Sequence, residues 1–397
     1  MAGTFRSLRG RNYRLWAGGA LVSNIGTWMQ RTAQDWVVLT VLSPHSATAV
    51  GVVMALQFGP QMLLLPITGL AADRLDRRKL LCCTQAIMGL LALGLGLLML
   101  SGTARLWHVD VFAFLLGCTS AFDAPARQTF VSELVGEDDL PNAVGLNSAS
   151  FNAARMIGPA AAGLLIAGIG AGWVFLLNAA SFVAVIVSLQ RLRVADLHRH
   201  AASPRGIGGL ADGARYVWAR PDLKATLLML FIFATFGLNF PIFISTMAVG
   251  SVSGALLSAG REGPRFALLV TAAAVFGTGC VVAALMPNQW LFAGVLMVLG
   301  VAAQTFNTTS NTLVQLGTEP AMRGRVMAIL LALLLGGTPL GAPLIGHVAD
   351  SFGARWALGV GALAGLVVAA IGALYLRRTR RMVDDLVTAQ IGLSSPR

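Results

Sequence analysis

A chain of 397 residues that is 56% hydrophobic and only 12% charged is not a soluble globule, in which about a quarter of the residues carry charge. Long uncharged runs between short charged breaks mark a polytopic α-helical membrane protein. The net charge of +12 does not point to nucleic acid, because the basic residues lie in short clusters between apolar runs rather than along one continuous face.

The amino terminus, "MAGTFRSLRGRNYRLW", is basic in the manner of a signal peptide. The apolar run behind it carries Asn24, Gln30, Arg31 and Asp35 and lacks a small-residue cleavage site. A retained first helix is therefore expected. Apolar runs between charged breaks then place spans at 14–41, 47–71, 80–101, 106–125, 142–168 and 172–192. After a polar linker at 193–222 come 223–259, 266–286, 290–310, 326–349 and 355–376.

The stretch 223–259 fits neither one span nor two, since a hydrocarbon core about 30 Å thick needs about 20 residues of helix. With a cytoplasmic amino terminus and two crossings there, 25 of the 29 Lys and Arg fall on the cytoplasmic side, leaving Arg31, Arg105, Arg155 and Arg355. A single crossing would turn Arg261, Arg265, Arg323, Arg325 and the terminal "RRTRR" outward, against the positive-inside rule. Two crossings are expected, the second incomplete.

An internal repeat supports this reading. "GPAAAGLLIAGIGAGW" places Gly158, Gly163, Gly170 and Trp173, and "GAPLIGHVADSFGARW" places Gly341, Gly346, Gly353 and Trp356 at an offset of 183. The offset is 209 between Arg11 and Arg220 but 187 between Arg74 and Arg261. The second half has thus lost roughly 20 to 25 residues between Arg220 and Arg261, about a short loop and half a helix.

Between the second and third spans stands "GLAADRLDRRKL", which contains Gly69, Asp73, Arg74, Asp76, Arg77 and Arg78. One reading is a positive-inside anchor. The other is a gate latch, in which Asp73 faces a helix amino end or a basic partner and Arg77 pairs with Asp123. In the fifth span, Gly158 and Gly163 allow close backbone contact and Pro159 bends the helix. Polar stripes point inward, since a polar face in lipid is costly. Asn24, Trp28, Arg31 and Asp35 follow at helical spacing, as do Gln304, Asn307, Asn311 and Gln315, while Asn152 and Arg155 lie three apart. Interhelical hydrogen bonding explains the Asn and Gln as well as a transport path does, whereas the charged Arg31, Asp35 and Arg155 are harder to explain by packing.

Asp35 is the candidate proton-coupling acid, with apolar neighbours such as Trp36 and Val38 and with Arg31 one turn earlier. The pair either alternates between contact and separation or stays a static neutralising pair. His347 lies within a span, whereas His45 and His108 lie near span ends. Cys82, Cys83, Cys118 and Cys280 show no metal-ligand spacing and read as packing or lipid-facing residues. No Gly-rich phosphate loop occurs, so ATP is not expected as the energy source.

"GLAADRLDRRKL" resembles the G-x-x-x-D-R-x-x-R-R loop of the major facilitator superfamily, with Asp76 where Gly is usual. "GLNSASFNAARMIGPAAAG" resembles the Gly-Pro motif of that superfamily's antiporters, with Ala154 and Ala162 where Gly is commoner. "AFDAPARQTFVSELV", "WMQRTAQDW" and "RGRVMAI" are similar to the enterobactin-exporter-like and macrolide-efflux-like branch. The resemblance implies two six-helix halves around a central cavity, a loop latch that favours the outward-open state, and a fifth-span segment that seals against ion leak.

The expected fold is therefore an all-α polytopic membrane protein of the major facilitator type, with a shortened seventh-to-eighth region. The expected divisions are a bundle at 1–192, a cytoplasmic linker at 193–222, a second bundle at 223–381 and a tail at 382–397. The expected function is proton-coupled export of a small organic molecule by alternating access. An importer of the same fold and a non-transporting relic are the alternatives. Expected partners are a small-molecule substrate, protons and the plasma-membrane bilayer, with both termini cytoplasmic. No nucleic acid, metal, cofactor or enzymatic activity is expected, and the protein is expected to be a monomer.

Overall fold

The computed structural model describes residues 5–64, 67–68, 75–198, 209–237 and 266–393. The first part of the chain forms α1 (Arg11–Val37), α2 (Ala47–Leu63), α3 (Arg77–Leu100), α4 (Leu106–Leu134), α5 (Leu140–Ile169) and α6 (Ala171–Gln190). Then follow α7 (Gly209–Ala219), α8 (Pro221–Ile232), α9 (Phe266–Leu285), α10 (Gln289–Gly317), α11 (Pro320–Phe352) and α12 (Ala354–Leu393). No strand occurs among the described residues. Eight helices among them are long and apolar enough to cross a membrane, namely α3 to α6 and α9 to α12. The protein is thus an all-α, multi-pass membrane protein. At 27 residues, α1 is about 40 Å long. Its length suffices, but its polar and charged side chains keep it from being apolar.

Several helices outrun the spans expected from hydropathy. The fourth span was expected to stop at Pro125, yet α4 continues to Leu134. The Thr129 hydroxyl donates to the Pro125 carbonyl one turn earlier at 2.9 Å, within the continued helix. The linker expected at 193–222 contains α7, and α8 begins at Pro221, whose ring suits a first helical position. The expected incomplete crossing, 250–259 at the end of the stretch 223–259, lies outside the described residues.

The described residues of 5–198 and 338–353 form one compact unit, and those of 209–237, 266–337 and 354–393 form another. The first unit therefore takes in the end of α11, which the expected division at 223–381 assigned to the second bundle. It is built on helices brought to backbone contact by small residues. A Cβ on Gly117 of α4 would lie 2.4 Å from the Gln57 carbonyl oxygen of α2, and one on Gly51 would lie 2.4 Å from that of Ala342. At the amino end of α2 the Asp350 carboxylate accepts from the Ala47 and Thr48 amides at 2.6 and 2.9 Å, and from the Thr48 hydroxyl. Those amides lack intrahelical acceptors, so a carboxylate there both caps the helix and meets its positive end.

The first unit is closed where the start of α1 meets the chain just beyond α6. The Asn12 amide donates to the Arg193 carbonyl at 2.9 Å, and its oxygen accepts from the Arg193 N–H at 3.0 Å. Tyr13 donates to the Ala143 carbonyl at 2.8 Å. Around them Trp16, Leu81, Phe130 and Leu189 form a buried core. In the second unit Phe233 of a π-turn after α8 stacks on Phe306 at 4.2 Å and meets Phe276 at 4.7 Å. There α9 and α12 touch through Gly277 and Gly365.

The two repeat copies share a backbone feature. Gly170, between α5 and α6, has φ +89, and Gly353, between α11 and α12, has φ +99. Both turns use a conformation that side chains resist, which accounts for glycine at equivalent places.

Candidate transport site in the first unit

One polar layer of the first unit grows from the start of α3. Gly69, Asp73 and Arg74 of the loop motif lie outside the described residues. Asp76, which stands where the family loop has Gly, is the amino-terminal cap of α3 and accepts from the Lys79 amide at 3.1 Å. Arg78 donates to the Leu189 and Gln190 carbonyls at 2.7 and 3.2 Å, so a cation sits on the carboxyl end of α6.

Arg77 was expected to reach Asp123, but it pairs with Glu133 at 2.5 Å. Glu133 lies ten residues further along α4 than Asp123, about 15 Å closer to the loop. Asp123 is occupied elsewhere. It accepts from Thr84 at 2.8 Å, Gln85 at 2.7 Å and Arg127 at 3.1 Å. Arg127 also donates to Asn24 at 3.4 Å and lies 5.5 Å from the Trp16 ring centroid. A buried carboxylate with three donors and a guanidinium with an acid, an amide and an aromatic face make a satisfied network.

Seven residues further along α1, about 10 Å, the pattern changes. The Arg31 guanidinium lies 4.9 Å from the Trp28 ring and 5.0 Å from the Phe58 ring. Arg155 of α5 lies 5.7 Å from the same Trp28 ring, and Phe151 meets that ring edge-on at 5.9 Å. Gly158 seats α5 against this part of α1. A Cβ there would lie 2.5 Å from the Trp28 Cβ. Gly163 has open space around it, and Pro159 lies inside the unbroken α5. The Nε of Arg31 and that of Arg155 are buried and have no hydrogen-bond partner among the described residues. Asp35, half-buried one turn beyond Arg31, forms no ion pair with it. Aromatic faces offset part of the cost of a buried cation, by about 0.5 to 2 kcal/mol each.

The other polar stripe lies in the second unit, in α10. Gln304 donates to Thr308 at 3.3 Å and Gln315 to Asn311 at 2.8 Å, both within the helix. Asn307 is half-buried on the same helix, and His347 on α11 is exposed. Asn152 is exposed on α5. No cluster of metal-ligating side chains occurs among the described residues.

The family model described as "Transmembrane secretion effector" matches residues 2–239, and that described as "Major Facilitator Superfamily" matches residues 243–387. The chain belongs to the major facilitator superfamily. Its superfamily relatives include the multidrug efflux pump Tap of Mycolicibacterium fortuitum, 26% identical over 84% of this chain and 88% of that protein. The staphyloferrin A transporter of Staphylococcus aureus is 26% identical over 83% and 87%. Macrolide efflux protein A of Streptococcus pyogenes is 23% identical over 88% and 92%. Among solved structures, a bacterial homologue of the human lysosomal transporter Spinster matches with TM-score 0.71 at 17% identity, covering 92% of this chain and 97% of that one. The nucleoside transporter NupG matches with TM-score 0.70 at 13% identity, covering 92% and 99%. These structures show the major facilitator fold, and the protein is a transporter rather than an enzyme.

Within this transporter, residues beyond the sequence candidates complete both layers. Arg127 was legible in principle, since it stands four residues after Asp123 on one helix, the spacing of an ion pair. Glu133 and Phe58 carry no such signal. Only the packing of α4 beside α3, and the reach of the Phe58 ring to the Arg31 guanidinium, selects them.

Proposed function

We propose that the protein exports a small organic molecule by alternating access, drawing on the proton gradient, with Asp35 as the proton-carrying group. The observation that carries this reading is the separated pair of Arg31 and Asp35, one turn apart on α1 and unbonded to each other. A carboxyl that can meet or leave a neighbouring guanidinium links protonation to a change of conformation. The relatives named as efflux pumps and as a siderophore transporter support outward transport of an organic substrate. The clustering of basic residues supports cytoplasmic termini and a plasma-membrane location.

The test is reconstitution in proteoliposomes with an imposed pH gradient and a macrolide and a staphyloferrin as first candidates. Wild-type protein accumulates one of them only when the gradient is present. Asp35→Asn abolishes that dependence while still inserting. Accumulation by Asp35→Asn with undiminished dependence on the gradient would make Asp35 structural.

A further inference from the structure

Arg31 and Arg155 reach the same indole from two helices, yet neither forms an ion pair, and the buried Nε of each has no hydrogen-bond partner among the described residues. Elsewhere among the described residues of the same unit, other half-buried guanidiniums are matched. Arg77 has Glu133, Arg78 has two carbonyls and Arg127 has Asp123. A structural arginine pair would be expected to carry its partner with it, because an unmatched buried charge is among the costliest features a fold can hold. The aromatic faces of Trp28 and Phe58 soften that cost but do not supply the acceptors that an N–H fork requires.

We infer that Arg31 and Arg155, with the rings of Trp28 and Phe58, form a recognition site for an organic monocarboxylate bearing a flat apolar body. This assignment rests on the transport reading above and names its substrate class. The guanidinium fork matches the two oxygens of a carboxylate, and two forks around one indole converge on a single anion. Two arginines and Asp35 leave one net positive charge in the cluster, which suits a monoanion better than a dianionic phosphate. The rings of Phe151, Trp28 and Phe58 supply the apolar surroundings that an aromatic body needs beside its charged group.

The test uses the purified full-length protein in detergent, with 1-naphthoate as probe and 1-naphthamide and 1-naphthylmethylamine as neutral and cationic counterparts. Binding is read by titration calorimetry and by the rise in unfolding temperature. Naphthoate is expected to bind at least tenfold more tightly than either counterpart. Arg31→Gln and Arg155→Gln are each expected to lose that advantage, leaving the weak naphthamide binding unchanged. Arg155→Lys is expected to restore only part of it, since a point charge lacks the fork.

Equal binding of the three probes would overturn the inference, as would a naphthoate preference that survives in both Gln variants. Should either Gln variant fold poorly, Phe58→Leu serves instead, with a several-fold loss expected for naphthoate, and no loss counting against the site. Because binding in detergent needs no gradient, its failure leaves gradient-driven export standing. Failed export alongside a retained naphthoate preference would instead sink the transport reading alone.

Discussion

Two layers of charged side chains cross the first unit about 10 Å apart along α1, and they are built on opposite terms. Around Asp123, each charge has a counter-charge and each spare donor an acceptor. Around Trp28, two guanidiniums lie over aromatic rings with no acid bonded to either. A fold that meant only to hold its helices together would repeat the first arrangement. The second keeps charge in reserve, as the ligand site inferred above requires.

The sharpest break comes from Asp123→Ala, which strands Arg127 and removes the acceptor of Thr84 and Gln85. Losing one member of a buried pair costs about 3–5 kcal/mol, so the unfolding temperature in detergent should drop sharply. An unchanged transition would remove the contrast altogether. Next comes Gly158→Ala, which drives a Cβ against Trp28 and forces α5 from α1, at about 1–3 kcal/mol. It should also weaken transport, because Trp28 is the surface both arginines share.

Glu133→Gln should act more gently. The amide oxygen still accepts from Arg77, and trading a charged for a neutral hydrogen bond costs about 1 kcal/mol. A loss as large as that of Asp123→Ala would show that this pair, not the Asp123 network, anchors the layer. The smallest effect on folding is expected from Arg155→Met. With no bonded partner to lose, stability should change by less than about 1 kcal/mol or rise, while transport falls steeply. Calorimetry and a vesicle assay on the same preparation would show whether stability and transport separate in this way.

Much of the fold was legible in the sequence, for reasons particular residues make plain. Apolar runs broken by charge gave the helices, and the repeated Gly170 and Gly353 marked two turns with the same left-handed backbone. Arg31, Asp35 and Arg155 stood out because charge inside an apolar run needs a reason. Partner choice was harder to read. Of the acids on α4, the packing of α4 beside α3 brings Glu133 to Arg77 rather than Asp123. Asp350 reaching the amino end of α2 across some 300 residues is likewise set by packing, not by local pattern.

The clasp between Asn12 and Arg193 has a consequence for how the protein is made. Its two halves lie 181 positions apart in the chain. A ribosome adding roughly 5–20 residues per second leaves roughly 10–40 s between their synthesis. Throughout that interval the base of α1 waits without its acceptor and donor. A nascent chain stopped just after Gln190 would have α1 to α6 and still lack the closure. One extended only a few residues, past Arg193, could shut it.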